Sequence, residues 1–186
     1  MKKHSKGQFG YLSYTRKKQI LITILLFAVS FSLLFGGWML VHTKKNLLTI
    51  VAVLGMLPAC KFLVTSILYL RAHGTSEETY QALKSYEEKL PLYFDLYFTT
   101  EKKSFPVEAM VVCGKTICFY MKGATDHCQG CQKHLESIFV QNTFKGYTIK
   151  GFDQLDKFTN RLDSLTNLEM EETDPFVLET LMNISL

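Results

Sequence analysis

The apolar positions of the chain form two long runs, followed by a part in which apolar and polar residues alternate. Residues 19–41 contain no charged side chain, and a helix of that length spans roughly 34 Å, against a hydrocarbon core of about 30 Å. Residues 47–70 form a second run, which a proline and Lys61 interrupt. Because the link 42–46 is short, we expect an antiparallel hairpin of two membrane-spanning helices over residues 19–70. A cleaved signal peptide is the alternative, and the second run favours a retained anchor.

The spacing of apolar residues after the second run predicts a small α/β domain over residues 75–166. A capping box at Thr75–Glu78 starts its first helix, and Pro91 ends it. The predicted order of elements is α-β-β-β-α-β-α. The predicted helices cover 77–90, Cys131–Phe144 and Leu155–Leu165, and the predicted strands cover Leu92–Thr99, Val107–Cys113, Thr116–Met121 and Tyr147–Phe152. We also expect a turn at Glu101–Pro106, a loop at Gly123–Gly130 and a helix cap at Asp153. The acidic tail 167–186 has a predicted short helix that starts at Asp174-Pro175.

Charge separates the two parts of the chain. The chain has 21 basic and 17 acidic residues. Ten of the basic residues and none of the acidic ones lie in residues 1–76, and the other eleven basic residues and all seventeen acidic ones lie in residues 77–186. Six basic residues precede the first span and two lie between the spans, so the positive-inside rule places both termini in the cytoplasm of a multi-pass cell-membrane protein. The basic residues 1–18, with interleaved aromatic residues, suit anionic lipid headgroups. Because the second half is net acidic, nucleic acid is not an expected partner.

Lys61 is the one ionisable residue inside a predicted span. Such residues are costly in a bilayer unless they reach the interface, pair with a partner or face a polar cavity. Two hypotheses follow: a lysine that is tolerated or paired with a partner, and a transport or channel accessory function that uses Lys61.

The order of elements, together with a strand hairpin that ends in Ile117–Lys122, resembles the restriction-endonuclease-like superfamily and in particular its nuclease-related NERD branch. The resemblance covers roughly residues 76–166. It implies an acid at the start of the second strand and an acid-x-lysine at the end of the third, which together hold Mg²⁺ and position the attacking water. Glu108 matches the first acid and Lys122 the lysine, so the two should lie near one another. Tyr120 stands in place of the second acid, and one of four acids on the preceding helix would have to support the site: Glu77, Glu78, Glu87 or Glu88.

A second group of residues has the chemistry of a zinc or redox site. This group contains the thiol and imidazole side chains of His127, Cys128, Cys131 and His134. Cys113 and Cys118 could join them if the hairpin loop has the two residues Gly114-Lys115, because both then project from one side of the sheet; with one more loop residue they would point apart. A redox-active CxxC at a helix start and chemically inert buried cysteines are the alternatives. Because Gly130 favours a loop through residues 127–130, we expect the four not to converge and no cofactor to be bound, with Mg²⁺ or Zn²⁺ as the alternatives.

The patterns together predict a membrane-anchored cytoplasmic domain that acts by binding or assembly and is not catalytic. Its partners would be the lipid bilayer and a protein at the membrane. The first alternative is a metal-dependent nuclease that uses Glu108 and Lys122, and the second is the transport or channel accessory subunit that uses Lys61.

Overall fold

The computed structural model of the protein describes residues 5–41, 47–100, 103–123, 125–142, 144, 146–166 and 174–186. The predicted link 42–46 and the first part of the acidic tail lie outside these residues. The elements are α1 (Tyr11–Val41), α2 (Leu47–Arg71), α3 (Glu77–Leu83), β1 (Leu92–Thr99), β2 (Ser104–Cys113), β3 (Thr116–Tyr120), α4 (Thr125–Gln141), β4 (Thr148–Phe152), α5 (Leu155–Leu165) and α6 (Asp174–Ile184). They form two compact units, a helical one (Ser13–Ala72) and an α/β one (Met1–Leu12 with His73–Leu186).

The helical unit consists of α1 and α2, and both helices are long and apolar enough to cross a membrane, over Tyr11–Gly37 and Ile50–Arg71. The helix α1 begins at Tyr11, eight residues before the predicted start of the first span. Small residues bury the contact between the helices: Ala52 and Ala59 are fully buried, and a Cβ on Gly55 would lie 3.1 Å from the Ser30 hydroxyl. A hydrogen bond of 2.8 Å between the hydroxyls of Thr23 and Ser66 joins α1 to α2.

The α/β unit is built on a four-stranded mixed sheet with the strand order β1-β2-β3-β4. β2 is antiparallel to both β1 and β3, and β4 runs parallel to β3 after the crossover through α4. The observed order from α3 to α5 is α-β-β-β-α-β-α, apart from a short 3-10 turn that follows α3, so this part of the prediction is confirmed. The hairpin between β2 and β3 turns at Gly114 and Lys115, both with positive φ, and pairs Cys113 with Thr116 as the two-residue loop requires.

Apolar side chains cover both faces of the sheet. One core contains Met110, Phe119 and the inward face of α4 with Val177 and Leu181 of α6. The other contains residues of α3 and α5 packed on the opposite face, and it includes Leu83, Phe94, Cys113, Cys118, Tyr120, Phe158, Leu162 and Leu165. As predicted, Cys113 and Cys118 therefore lie on the same side of the sheet.

The alternation of side chains reverses at one position in both β1 and β2. Phe94 and Leu96 lie in different cores although they are two residues apart, and Ala109 and Val107 opposite them do the same. Asp95 between the first two has a φ of 57°. A left-handed residue rotates the strand, so that the chain resumes with its faces exchanged. The side chains at this level of β1 and β2 therefore leave the regular pattern of the sheet.

The free edge of β1 is covered by segments from both ends of the described chain. The carbonyl of Gly7 accepts a 2.8 Å hydrogen bond from the amide of Phe94, and the amide of Leu186 donates to the carbonyl of Tyr97 at 2.9 Å. The ammonium of Lys6 donates to the carbonyl of Ser185 at 2.6 Å. Residues 5–12 are therefore part of the α/β unit, whereas the sequence predicted a separate basic segment over residues 1–18.

Several predicted boundaries were wrong. The predicted loop Gly123–Gly130 is largely helical, because α4 starts at Thr125 and ends at Gln141 rather than at Phe144. A Cβ on Gly130 would lie 3.2 Å from the ring of Phe105, so the glycine allows a close approach that offsets its low helix propensity.

The other boundary corrections lie at the ends of elements. The helix α3 is shorter than predicted, since it passes into a 3-10 turn at Lys84–Tyr86. The strand β2 begins at Ser104, inside the predicted turn. The residue that caps α5 is Gln154, and Asp153 instead accepts a hydrogen bond from Thr125.

Candidate functional site

Glu108 lies in the middle of β2, and its carboxylate is directed to the start of α3. Its Oε2 accepts hydrogen bonds from the amide of Ser76 at 3.3 Å and from the hydroxyl of Ser76 at 3.1 Å. Ser76 is the residue that caps α3, and its Oγ also accepts from the amide of Thr79 at 3.3 Å. Because Glu108 is only 8% exposed, these donors compensate for the burial of its carboxylate.

Tyr120 is the neighbour of Glu108 on β3, since its backbone pairs with Ala109. The side chain is 6% exposed and packs 6.0 Å from the ring of Phe158. Burial raises the pKa of the Tyr120 phenol above its ordinary value of 10.0, and the charges of Glu108 and Asp153 raise it further. The phenol is therefore neutral at physiological pH, so it does not supply a second negative ligand.

Lys122 follows β3 and reaches the same end of α3 from solvent. Its ammonium lies 3.8 Å from the carboxylate of Glu78, and both side chains are exposed. An exposed pair of this kind contributes about 0–1 kcal/mol to stability. Glu108 and Lys122 thus both contact the region where α3 begins, each through a different α3 partner.

These residues do not fit the Mg²⁺ site that the resemblance implies. Such a site needs two or more carboxylate oxygens directed at one point. The Oε2 of Glu108 is engaged by Ser76, the second acid position carries the buried phenol of Tyr120, and Glu78 is paired with Lys122. Within the described residues there is no group of three or more His, Cys, Asp and Glu side chains arranged to hold a metal ion.

The cysteine and histidine group lies on α4, and its members face different environments. Cys128 and Cys131 are buried in the sheet core, and His127 is exposed. His134 is partly buried with its ring 6.2 Å from that of Phe105. The four residues therefore do not face a common point. The predicted reason was a loop through residues 127–130, but these residues are helical, and the four differ instead in their burial along α4.

A shallow pocket of about 360 Å³ lies between α4 and β4 and includes Cys128, Lys150 and Asp153 in its lining. Burial, with the nearby charge of Asp153, raises the pKa of the Cys128 thiol to about 11. Burial also raises the pKa of Cys131. A thiol in this state is a poor nucleophile at neutral pH, because only the thiolate reacts. All five cysteines are free thiols.

Lys61 lies on α2 with its side chain exposed. Its neighbours in sequence, Cys60 and Phe62, are exposed and partly buried respectively. The backbone carbonyl of Lys61 accepts a hydrogen bond from the hydroxyl of Thr65 at 3.0 Å, one turn further along.

Asp95 and Thr75 also contribute to this region, in ways that the sequence did not predict. Thr75 was predicted to start a capping box with Glu78, but the residue that caps α3 is Ser76. Asp95 is 2% exposed, and its carboxylate accepts from the amide of Thr75 at 2.6 Å and from the amide of Leu12 at 3.3 Å. The hydroxyl of Thr75 donates to the carbonyl of Glu108 at 2.6 Å and accepts from the amide of Asp95 at 3.1 Å. An acid flanked by apolar residues in LYFDLYFT was the available signal, because a charge within a buried strand needs its own donors.

Comparison with known proteins found no match among protein-family models, curated proteins or solved structures.

Proposed function

We propose that this protein is a membrane-anchored cytoplasmic domain with a restriction-endonuclease-like fold that acts by binding or assembly rather than by catalysis. The two apolar helices hold it in the membrane with both termini in the cytoplasm. The observation that carries the non-catalytic part is the environment of Glu108. Its carboxylate accepts two hydrogen bonds from Ser76 and lies beside the neutral phenol of Tyr120, where a nuclease of that superfamily would have a second acid.

The arrangement supports a structural role for Glu108. The carboxylate joins β2 to the residue that caps α3, and the backbone of the same residue accepts from Thr75. Both contacts fix the segment that enters α3 after α2. The structural role of the Glu108 carboxylate therefore does not depend on a bound ligand.

A cleavage assay on the purified full-length protein in mild detergent tests the proposal. Single-stranded and double-stranded DNA and RNA would be incubated with Mg²⁺ or Mn²⁺, and Glu108→Gln and Lys122→Leu would be measured in parallel. We expect cutting at the level of a mock purification, unchanged in both variants. Metal-dependent cutting that Glu108→Gln abolishes would overturn the proposal, provided that this variant remains folded.

The nuclease is the second candidate, and it requires the exposed pair of Lys122 and Glu78 to open so that Glu78 is released to a metal ion. Glu78 of α3 lies 3.8 Å from Lys122, and an acid on this helix is what the missing second acid would require. Under this alternative, Glu78→Gln would also abolish the cutting, whereas Glu77→Gln would serve as a matched control from the same turn. Activity in the wild type that is lost in Glu78→Gln and kept in Glu77→Gln would establish the alternative.

A further inference from the structure

Lys61 lies at the middle of the candidate span of α2. That span covers Ile50–Arg71, and Lys61 is eleven residues after its start and ten before its end. At 1.5 Å per residue, its Cα lies roughly 15 Å from either end of the span. A lysine side chain near the end of a span reaches the interface, but from the middle the distance is too long. The ammonium therefore needs either a partner or a polar cavity within the hydrocarbon region.

The face of α2 that carries Lys61 points away from α1. Ala59 is 0% exposed and shares a face of α2 with Gly55 and Ser66, which approach Ser30 and Thr23 of α1. A residue two positions after Ala59 is rotated by about 200° around the helix. The residues aligned with Lys61 at helical spacing are among the most exposed of α2: Leu54 at 58%, Leu57 at 68% and Val64 at 67%. We call these four residues the Lys61 face.

The opposite face of α2 is already packed against α1. Ser66 on that face bonds to Thr23 of α1 at 2.8 Å, and Ala52 and Ala59 are fully buried. Within the described part of the hairpin, the polar contact between the two helices is thus made without Lys61. The exposed lysine is left to a contact from outside the hairpin.

The charge of the hairpin restricts what that partner is. The first 76 residues contain no Asp or Glu, so neither α1 nor the hairpin of a second copy supplies a carboxylate in the membrane. A symmetric contact through the Lys61 face would bring two ammonium groups together, which is unfavourable at low dielectric. Ionisable residues in membrane spans nearly always face the interior of a bundle and pair there.

We propose that the Lys61 face packs against a membrane-spanning helix of a different protein that carries an aspartate or glutamate near its midpoint. Leu54, Leu57 and Val64 provide the apolar contact, and Lys61 provides the charge that selects the partner. The inference rests on the membrane insertion contained in the proposed function, and it is independent of whether the α/β unit is catalytic.

Disulfide cross-linking through Cys60 tests the inference, because this thiol is exposed and adjacent to Lys61. The full-length protein would be co-expressed in bacterial membranes with a designed single-span leucine helix that has one aspartate at its midpoint and a cysteine beside it. The control helix has leucine in place of the aspartate. After oxidation with copper phenanthroline, we expect the aspartate helix to link to Cys60 of the wild type, and Lys61→Leu to lower this yield roughly fivefold or more.

Two further variants make the outcome specific. Lys61→Arg should keep the cross-link to the aspartate helix. Lys61→Asp should no longer cross-link to the aspartate helix but should cross-link to a helix with lysine at its midpoint. Cys60→Ser shows that the link is made at this thiol. Equal yields with the aspartate and leucine helices would overturn the inference, as would a Cys60–Cys60 homodimer that the aspartate helix does not compete away.

Alkaline carbonate extraction separates failure of the inference from failure of the proposed function. Extraction of the chain from the membrane would refute insertion and both proposals with it. A chain that stays in the membrane but shows no preference for the aspartate helix would refute only the acidic partner.

Discussion

Replacement of Asp95 should destabilise the α/β unit more than any exposed acid does. Asp95→Ala leaves the amides of Thr75 and Leu12 without their acceptor, and Leu12 is only 2% exposed. Each orphaned buried amide costs about 1–3 kcal/mol, and alanine at the φ of 57° adds roughly 1 kcal/mol. These costs add up to an expected loss of about 3–7 kcal/mol, a large part of the about 5–15 kcal/mol by which a protein of this kind is stable.

The assay uses the four buried cysteines of the α/β unit as reporters of unfolding. Full-length protein in mild detergent is equilibrated in urea and pulsed with a maleimide, and the labelled fraction is measured by mass spectrometry. With a slope of about 2 kcal/mol per molar urea, the midpoint should fall by roughly 1.5–3.5 M. The matched control is Glu179→Ala, because Glu179 is exposed on α6 and a surface substitution changes stability by about 0.5 kcal/mol or less.

Two other substitutions at the same position separate the causes. Asp95→Asn keeps one acceptor oxygen but presents an amide group to the second N–H, so it should lose about 1–3 kcal/mol. Asp95→Gly removes the left-handed strain and should be less destabilising than Asp95→Ala by up to about 1 kcal/mol. Midpoints equal to that of the wild type for both Asp95→Ala and Asp95→Asn would refute the reasoning.

Three further predictions use the same protein. Gly151→Ala should destabilise the α/β unit by about 1–3 kcal/mol, because the new methyl group would meet the Cys128 sulfur and lie 2.6 Å from the ring of Phe119. Urea midpoints of the single variant and of the double variant with Cys128→Ala measure this loss, and an unchanged midpoint in the single variant would contradict it. Burial lowers the pKa of His134 below 6.5, so the unfolded chain takes up the proton first and the free energy of unfolding should fall as pH drops below about 6.5. His134→Gln should lose less stability than the wild type between pH 7 and 5, and equal pH dependence of the two urea midpoints would argue against this. A cysteine placed at Asn46 in a background without native cysteines should react with a membrane-impermeant maleimide only from outside the cell, and labelling restricted to the cytoplasmic side would reverse the predicted topology.

Local rules were sufficient for the sheet and its hairpin. The aromatic-rich run LYFDLYFT predicted the strand Leu92–Thr99 with its observed bounds, and the two-residue Gly114-Lys115 turn determined the pairing of Cys113 with Thr116. Side-chain direction then follows from the period of two residues, which is why Cys113 and Cys118 were placed on one side. These features depend on neighbours in sequence or across a single turn.

The features that the sequence did not predict depend on distant contacts. The early start of α4 is stable because Gly130 packs closely on Phe105, 25 positions away. The reversal of faces at Asp95 depends on donors from residues 12 and 75, which no periodicity connects to β1. For the candidate site, the sequence predicted that Glu108 and Lys122 lie near one another. The partners that the structure gives them, Ser76 for Glu108 and Glu78 for Lys122, depend on how α3 packs on the sheet.

The covered edge of β1 has a consequence for how the protein is made. Residues 5–12 are synthesised before the rest of the α/β unit, yet their contacts include Phe94 of β1 and Ser185 beyond α6. At 5–20 residues per second, the interval between their synthesis and that of α6 is roughly 10 to 30 s. Both apolar helices are synthesised within this interval. The segment around Gly7 therefore stays without its β1 partner until Phe94 has been made, and its contact with Ser185 cannot form until the end of α6 has been passed.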